Sequence, residues 1–392
     1  MKRIYLDHAA TTPVHPEVLN EMLPFFTERF GNPSTIYFFG REAKEGIEIA
    51  REKFAKAINA DVSEIVFTSG GTEADNNAII GAVRASGRKT AHIITSKIEH
   101  HAVLETCHFL EKEGCKVTYL PVDRDGLVDP VEVKKALNKE TVIVSIMFAN
   151  NEIGSVQPVR EIGAVCRENG VIFHTDAVQA LGSLPIDVEA QNLDLLSVSA
   201  HKLYGPKGVG ALYIRKGVKC SKLMHGGEQE RRRRAGTENT AGIIGFGKAV
   251  ELAVAALPAE SKRLSALRDG MIAKLMKKIP EIKLNGHAVK RLPGNINIAV
   301  KYIEGESMLL NLDMDGICAS TGSACTSGSL EPSHVLSAIG IPAELAHGSI
   351  RFSLGKSSTK EDMDFVVEKF AEIVDRLRKL SPLYKGNGCK IK

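Results

Sequence analysis

Short β-branched segments alternate with longer helical ones from about residue 41 to residue 256. Consecutive strand–helix–strand units of this kind build a parallel sheet. The pattern therefore predicts an α/β fold whose main sheet has seven strands and is mainly parallel. The predicted strands are residues 65–68, 92–95, 117–120, 142–148, 171–174, 195–198 and 211–214.

The order of the elements changes after about Pro258. A chain of this length favours one large domain and a smaller one, and the second pattern is typical of a small α+β domain. We expect a large domain of residues 15–258 and a small domain of residues 1–14 and 259–392. The predicted elements of the small domain are helices at 259–279 and 360–380 and strands at 295–300 and 349–354.

Composition excludes several classes of protein. The chain has 392 residues, 43% of them hydrophobic, which is enough for a large core and excludes disordered and collagen-like proteins. Its net charge of +4 is too small to indicate nucleic acid as the main partner, and the run 231–234 is expected to be a solvated face or to flank a phosphate site.

The sequence also bears on where the protein resides. No apolar run approaches the ~18–20 residues of a membrane helix, and Asp7 comes too early for a signal peptide. The seven cysteines are scattered and form no Cys-x-x-Cys pair, so neither a disulfide framework nor a zinc cage is indicated. We expect a soluble cytoplasmic protein with reduced thiols.

Lys202 is the first candidate catalytic residue. A strand runs into polar residues and this lysine, and a Gly/Pro turn then opens the next strand, which places Lys202 where open α/β sheets bind ligands. Most lysines are solvated surface groups, so the position alone is weak. A lysine that forms an imine with an aldehyde cofactor also needs phosphate donors and a carboxylate facing the ring nitrogen.

Both requirements have candidates. Residues 69–72, Ser-Gly-Gly-Thr, lie between a strand and a helix, where backbone N–H groups and the Thr72 hydroxyl can bind a phosphate. The alternative is a simple tight turn. Asp176 directly follows a strand and could keep a pyridine nitrogen protonated; a helix N-cap is an equal interpretation.

Four further polar positions have open interpretations. His100 could stack on a pyridine ring and exchange protons, but His101 is an equal candidate, and either could simply begin a helix. Residues 150–154 and Gln179 could place amides near a cofactor or form polar turns. Arg351 alternates with apolar residues, so a structural or substrate carboxylate is expected beside it.

Cys325 lies in a stretch of ten small residues, 320–329, which we expect to be mobile. A thiol there is accessible, whereas a thiol in a core is inert. Five extended residues span up to ~17 Å, which suits a nucleophile that must visit a buried substrate. The alternative is a chance surface cysteine, the interpretation we favour for the other six.

Together these segments resemble the pyridoxal-phosphate-dependent cysteine desulfurases of the NifS/IscS type, in the class V aminotransferase superfamily. The lysine segment and the cysteine loop at 320–332 are specific in combination. The long cysteine loop resembles that of the desulfurase group that supplies sulfur to iron–sulfur assembly scaffolds. The matching segments are residues 5–12, 31–34, 68–76, 150–154, 176–179, 199–210, 226–239 and 320–332.

The resemblance implies a pyridoxal 5′-phosphate site in a fold of the type I transferase class. Lys202 would form the Schiff base, Asp176 would face the pyridine nitrogen and His100 would stack on the ring. A threonine of a neighbouring subunit, Thr237, would reach the phosphate in a homodimer. The full implied cofactor set is Gly71, Thr72, His100, Asn151, Asp176, Gln179, Ser199, His201, Lys202 and Thr237. The implied substrate-binding residues are Asn32, Asn151 and Arg351.

The implied activity is conversion of L-cysteine to L-alanine, with Cys325 holding the sulfur as a persulfide. The resemblance implies transfer to an iron–sulfur scaffold protein of the IscU/NifU type, with thiolated tRNA and cofactors as further candidate products. Cys325 is also a candidate transient ligand of an iron–sulfur cluster. The first competing hypothesis is another class V enzyme, either a selenocysteine lyase or an aminotransferase. The second is a nucleic-acid-binding protein that uses residues 231–234, and the third is a sulfur or iron–sulfur carrier in which Lys202 has no catalytic role.

Overall fold

The computed structural model describes residues 3–321 and 332–384. The strands are β1 (Ile4–Tyr5), β2 (Ile65–Thr68), β3 (His92–Ser96), β4 (Lys116–Leu120), β5 (Thr141–Ser145), β6 (Ile172–Asp176), β7 (Leu195–Ser199), β8 (Gly210–Ile214), β9 (Ile282–Leu284), β10 (Asn295–Val300), β11 (Ile317–Cys318) and β12 (Ser349–Ser353). The α-helices are α1 (Pro16–Met22), α2 (Pro24–Thr27), α3 (Phe38–Ala57), α4 (Gly71–Ser86), α5 (His101–Lys112), α6 (Pro130–Ala136), α7 (Val159–Glu168), α8 (Thr240–Lys278), α9 (Gly305–Met314), α10 (His334–Ala338), α11 (Ala343–His347) and α12 (Lys360–Leu380). Short 3₁₀ turns lie at Val62–Glu64, Ala200–Lys202 and Glu230–Arg232.

The central sheet has seven strands in the order β2-β8-β7-β6-β5-β3-β4. Only β8 runs against its neighbours β2 and β7; the other pairs are parallel. This confirms the predicted mainly parallel α/β sheet. Because β2, β3, β5, β6 and β7 point the same way, their carboxyl ends meet at one edge.

Strand β5 is shorter than predicted. The sequence extends it to Phe148, whereas the ladder ends at Ser145. The Met147 N–H donates to the buried Glu99 carboxylate at 3.1 Å instead of to a neighbouring strand. The apolar residues 146–148 are still buried, which is why the hydrophobic pattern continued past the end of the strand.

Two smaller sheets lie in the second part of the molecule. Strands β12-β10-β9 are antiparallel, and β1 pairs in parallel with β11. They pack with α9, α12 and the end of α8 around a separate hydrophobic cluster that includes Leu6, Ile298 and Phe370. The amino-terminal strand therefore packs with the carboxy-terminal elements.

Helix α8 differs from the sequence expectation in two ways. It begins at Thr240 and continues through Pro258, whereas we expected a new helix at residue 259, since a proline usually marks a helix end. Among the described residues, α8 is also a helix whose length and apolar composition would be sufficient to cross a membrane. Of that apolar window 56% is buried, and buried core helices pass the same test.

Candidate active site

Lys202 lies in the 3₁₀ turn Ala200–Lys202, directly after β7. Its Nζ donates to the carbonyl oxygens of Ala9 and Ala10 at 2.6 and 2.7 Å. Gln179 Nε2 donates to the same Ala9 oxygen at 3.0 Å. The segment after β1 thus orients two of the predicted cofactor residues, a role that the sequence did not assign to it.

Asp176 is the last residue of β6 and is buried. Its Oδ1 accepts the Val178 N–H at 2.9 Å, so it caps a turn rather than a helix. Burial raises the pKa of Asp176, while positive charge on His100 and Lys202 lowers it. Burial is the largest of these effects, so the pKa of Asp176 lies above its usual value, and the positive charge of Lys202 favours the anionic form.

His100 is the N-cap of α5, and its Nδ1 accepts the Ala102 N–H at 3.1 Å. An accepting Nδ1 carries no proton, so the neutral ring has its proton on Nε2. Burial lowers the pKa of His100, the negative charge of Asp176 raises it, and the positive charge of Lys202 lowers it. The histidine therefore begins a helix and also interacts with both key charges.

His101 takes a different position. It is the first residue of α5, and its ring centroid lies 4.9 Å from that of His334. The structure thus links His101 to the start of α10, and it is His100 whose pKa responds to Asp176 and Lys202.

The turn at residues 69–72 leads from β2 into α4. The first N–H groups of a helix have no partner within the helix and carry positive partial charge, which suits a phosphate. A Cβ on Gly71 would lie only 2.7 Å from Val178 Cγ2, so this close packing requires glycine. Thr72 is exposed and Ser199 is buried at the end of β7.

His201 belongs to the same region. Its Nδ1 lies 3.1 Å from Thr11 Oγ1. Burial and the positive charges of Lys202 and Lys207 lower the pKa of His201 to about 4. The ring is therefore neutral near pH 7, and one ring nitrogen is a hydrogen-bond donor.

Arg351, in β12, is buried and held by two partners. Nη2 lies 2.8 Å from Asp7 Oδ1, and Nη1 donates to the Asn151 carbonyl at 3.0 Å. The carboxylate expected beside this arginine is thus Asp7. Arg351 Nε is buried with no hydrogen-bond partner in the described part of the chain, which leaves a donor for a substrate carboxylate.

The remaining candidates are more peripheral. Asn32 is exposed in a turn, where its side chain accepts the Ser34 N–H at 3.0 Å. Thr237 is exposed and lines a cavity of about 140 Å³ together with Ser69.

Cys325 lies outside the described residues, as do residues 322–331, so its assignment as a cluster ligand stays a prediction. Ser320, the first residue of the stretch predicted to be mobile, is buried and pairs with Arg351 through backbone hydrogen bonds.

A buried polar layer next to Asp176 was not predicted from the sequence. His174, two residues earlier on the same strand, contacts Ser145 Oγ at 2.8 Å and Ser197 Oγ at 2.9 Å. Asp75 Oδ1 lies 3.6 Å from His174 Nε2. Burial and the neighbouring charge of Asp176 raise the pKa of Asp75 well above its usual value. The signal available in the sequence was the presence of these polar residues within apolar runs.

The donor set fits pyridoxal 5′-phosphate. The site offers an amine at Lys202, a buried carboxyl group at Asp176, a helix amino terminus for a phosphate and an imidazole at His100 whose Nδ1 accepts a hydrogen bond. Within residues 3–321 and 332–384 no group of three or more His, Cys, Asp or Glu side chains could hold a metal ion.

Comparison with known proteins agrees with this geometry. The family described as Aminotransferase class-V matches residues 4–366. A protein named Cysteine desulfurase IscS from Dictyoglomus turgidum is 59% identical over 97% of both chains. One with the same name from Methanosarcina thermophila is 58% identical, over 97% of this chain and 94% of that protein.

Solved structures agree as well. A structure titled "NIFS-LIKE PROTEIN" has a TM-score of 0.90 and 39% identity, and the match covers 96% of this chain and 100% of that one. The structure "SspA in complex with cysteine" has a TM-score of 0.80 and 38% identity, covering 90% and 99%. The fold is thus that of the fold type I enzymes whose cofactor is pyridoxal 5′-phosphate. On the match to residues 4–366 and on these relatives, the chain belongs to the class V aminotransferase family.

Proposed function

We propose that this protein is a cysteine desulfurase that converts L-cysteine to L-alanine and receives the sulfur on Cys325 as a persulfide. The observation that carries the proposal is the placement of Lys202 and Asp176 at one sheet edge, together with an available donor on Arg351. Full-length relatives that are 58–59% identical and named cysteine desulfurase support it.

The chain's own residues perform the chemistry as follows. Arg351 binds the substrate α-carboxylate through Nε while Asp7 and Asn151 fix its other nitrogens. The Lys202 amine removes the Cα proton and later returns a proton to carbon. Asp176 holds a negative charge against the ring nitrogen. The bound pyridoxal phosphate supplies an electron sink that stabilises negative charge on Cα.

The sulfur moves to Cys325. The Cys325 thiolate attacks the substrate sulfur; an S–S bond forms, the Cβ–S bond breaks, and its electron pair goes to the carbon, which is then protonated to give alanine. His100, neutral with its proton on Nε2, is placed to exchange a proton beside this reaction. Asn32 and Asn151 are assigned to substrate positioning.

We infer that the active protein is a homodimer. The segment from α1 to the start of α3 exposes several large apolar side chains, which a partner copy would cover. Thr237 is exposed and would reach the partner's phosphate. The exposed apolar residues of this segment are Leu19, Leu23, Phe26, Phe30, Ile36, Tyr37 and Phe38.

The proposed acceptor is an iron–sulfur scaffold protein of the IscU/NifU type, in the cytoplasm. The relatives' name, IscS, supports this assignment. Sulfur for tRNA thiolation and for other cofactors is a further proposed product. Direct transfer is tested by incubating persulfide-loaded protein with a purified scaffold and following labelled sulfur.

The central experiment combines purified, cofactor-loaded protein with L-cysteine. We expect alanine to form and the peptide containing Cys325 to gain the mass of one sulfur atom. A protein that stays colourless with pyridoxal phosphate and leaves cysteine unchanged would refute the proposal. Selenocysteine and pyruvate serve as comparison substrates. Amino transfer to pyruvate would indicate an aminotransferase, and selenium release without modification of Cys325 would indicate a selenocysteine lyase.

A further inference from the structure

Glu152 is a buried carboxyl residue for which the reaction has no direct use. It follows β5 in the turn at residues 150–154 and is 5% exposed. Its N–H donates to Asn150 Oδ1 at 2.9 Å, and Asn150 Nδ2 donates to the Ile98 carbonyl at 2.9 Å. The backbone of Glu152 is thus fixed to the edge of the central sheet.

From this position Glu152 binds the elements that follow α8. Its carbonyl oxygen accepts Asn297 Nδ2 at 3.1 Å and Asn295 Nδ2 at 3.3 Å, both from β10. Its Oε2 accepts the Ser333 hydroxyl at 2.6 Å. A single residue therefore joins the central sheet to β10 and to the start of α10.

The Ser333 hydroxyl has two roles. It donates to Glu152 and accepts the Leu336 N–H at 3.3 Å, which makes it the N-cap of α10. The next residue, His334, places Nε2 2.9 Å from the Glu99 carbonyl oxygen. The start of α10 is therefore attached to the two segments that follow β3 and β5, which also contain His100 and Asn151.

The attachment matters because Ser333 lies eight residues after Cys325. On the other side, Ser320 lies five residues before Cys325 and pairs with Arg351 through two backbone hydrogen bonds, of 3.1 and 2.6 Å. Arg351 and Glu152 also interact electrostatically. Since five extended residues span at most ~17 Å and eight about 27 Å, the positions of Ser320 and Ser333 together limit where the Cys325 thiol can reach.

We propose that Glu152, through Ser333, is a positioning residue that fixes the carboxy-terminal base of the Cys325 segment, so that sulfur transfer to the thiol depends on it while Cα proton removal does not. The inference rests on the proposed desulfurase function. Glu152 touches neither substrate nor cofactor in this role; it acts through the Ser333 hydroxyl.

Two measurements on the cofactor-loaded protein separate the steps. Exchange of the substrate Cα hydrogen with solvent deuterium reports proton removal by Lys202. Mass analysis of the Cys325 peptide reports sulfur transfer. In wild-type protein both must occur. If neither does, the proposed function fails and this inference fails with it, whereas the variants below test the inference alone.

Ser333→Ala removes the hydroxyl. We expect persulfide formation to slow by about tenfold or more, since misplacing a reacting group by ~1 Å costs up to ~100-fold, while deuterium exchange and the KM for L-cysteine stay within about threefold. Glu152→Gln keeps an accepting oxygen for Ser333, so we expect it to rescue most of the loss seen with Glu152→Ala.

Thr359→Ala is the matched control. Thr359 is the N-cap of α12 and accepts the Asp362 N–H at 3.1 Å, so this variant also loses a cap, at another helix. Its persulfide formation should equal that of wild type. The double variant Glu152→Ala/Ser333→Ala should be no slower than Glu152→Ala. Three results would each overturn the proposal. Thr359→Ala could slow persulfide formation as much as Ser333→Ala does, or the effects of Glu152→Ala and Ser333→Ala could add in the double variant. Deuterium exchange could also fall in parallel with persulfide formation in the Glu152 and Ser333 variants.

Discussion

The Lys202 ammonium and the Ala9 carbonyl oxygen are 2.6 Å apart, and Ala9 belongs to the segment that follows β1. Strand β1 pairs with β11 rather than with the central sheet. The lysine at the end of β7 is therefore oriented by chain that packs with the carboxy-terminal elements. The site therefore lies where the central sheet meets the segment that follows the β1–β11 pair.

Replacing Lys202 with Ala should remove the covalent link to the cofactor but leave the phosphate and ring contacts. We expect pyridoxal phosphate to bind without a borohydride-reducible bond, and alanine formation to fall by at least about 10³-fold. Lys202→Arg is the control that keeps the charge but lacks a nucleophilic amine. Cofactor fixed to either variant after borohydride treatment, detected by peptide mass, would show that another amine is used.

Replacing Cys325 with Ala should leave the colour of the bound cofactor intact and abolish persulfide formation, because the accepting thiol is absent. Cys115→Ala is a suitable control, since burial raises the pKa of the Cys115 thiol and so lowers its thiolate fraction. Peptide mass after one turnover with L-cysteine checks both. Persulfide on another cysteine of the Cys325→Ala variant would contradict the assignment.

The elements that depend on local pattern were predictable. Alternation of β-branched and helical segments predicted the seven strands, and Lys202 and Asp176 were identified because each lies at or just beyond the carboxyl end of a strand. Helix α12 has the predicted bounds, because its capping residue and amphipathic face are both local. Such features depend on residues a few positions apart.

The partners of these residues were not predictable, because topology brings them together. Asp7 and Arg351 are 344 positions apart in sequence, and Glu152 and Ser333 are 181 apart. No period in the sequence encodes such pairs. The antiparallel direction of β8 and the passage of α8 through Pro258 likewise depend on tertiary packing.

The segment that carries Thr237 is held by a buried ion pair. Arg51 and Glu230 form two hydrogen bonds, of 2.8 and 2.9 Å, and Glu230 Oε2 also accepts the Phe67 N–H at 2.9 Å. Glu230 has a left-handed backbone, with φ of 47°. The ion pair offsets the cost of that conformation.

Glu230→Ala should therefore lower the free energy of unfolding by about 3–5 kcal/mol, because the buried Arg51 charge then keeps only the partly exposed Glu48 carboxylate as an ion-pair partner among the described residues. Arg232→Ala, in the same turn, breaks only an exposed ion pair with Glu228 and should cost less than about 1 kcal/mol. Urea unfolding of the two variants checks this. A similar loss of unfolding free energy in both variants would show that burial of the Arg51–Glu230 ion pair does not determine its contribution to stability.

Glu99 gives a pH-dependent prediction. Its Oε1 accepts Ser96 Oγ at 2.5 Å and the Met147 N–H at 3.1 Å, and Oε2 has no partner among the described residues. Burial raises the pKa of Glu99 from 4.5 to about 8, partly offset by these two hydrogen bonds. Between those values the folded protein holds a proton that the unfolded chain releases, so this stabilisation is complete below pH 4.5 and is lost as pH rises through 8.

Glu99→Gln has no such proton, and its amide oxygen can accept the same two hydrogen bonds. Its unfolding free energy, relative to wild type, should therefore rise by about 2–4 kcal/mol between pH 5 and pH 8.5. Glu21→Gln, at an exposed position of α1, should follow the wild-type curve. Denaturant unfolding at several pH values checks the difference. If Glu99→Gln and Glu21→Gln gave parallel curves, Glu99 would have to be ionised in the folded protein near neutral pH, and its negative charge would then act directly on Asp176.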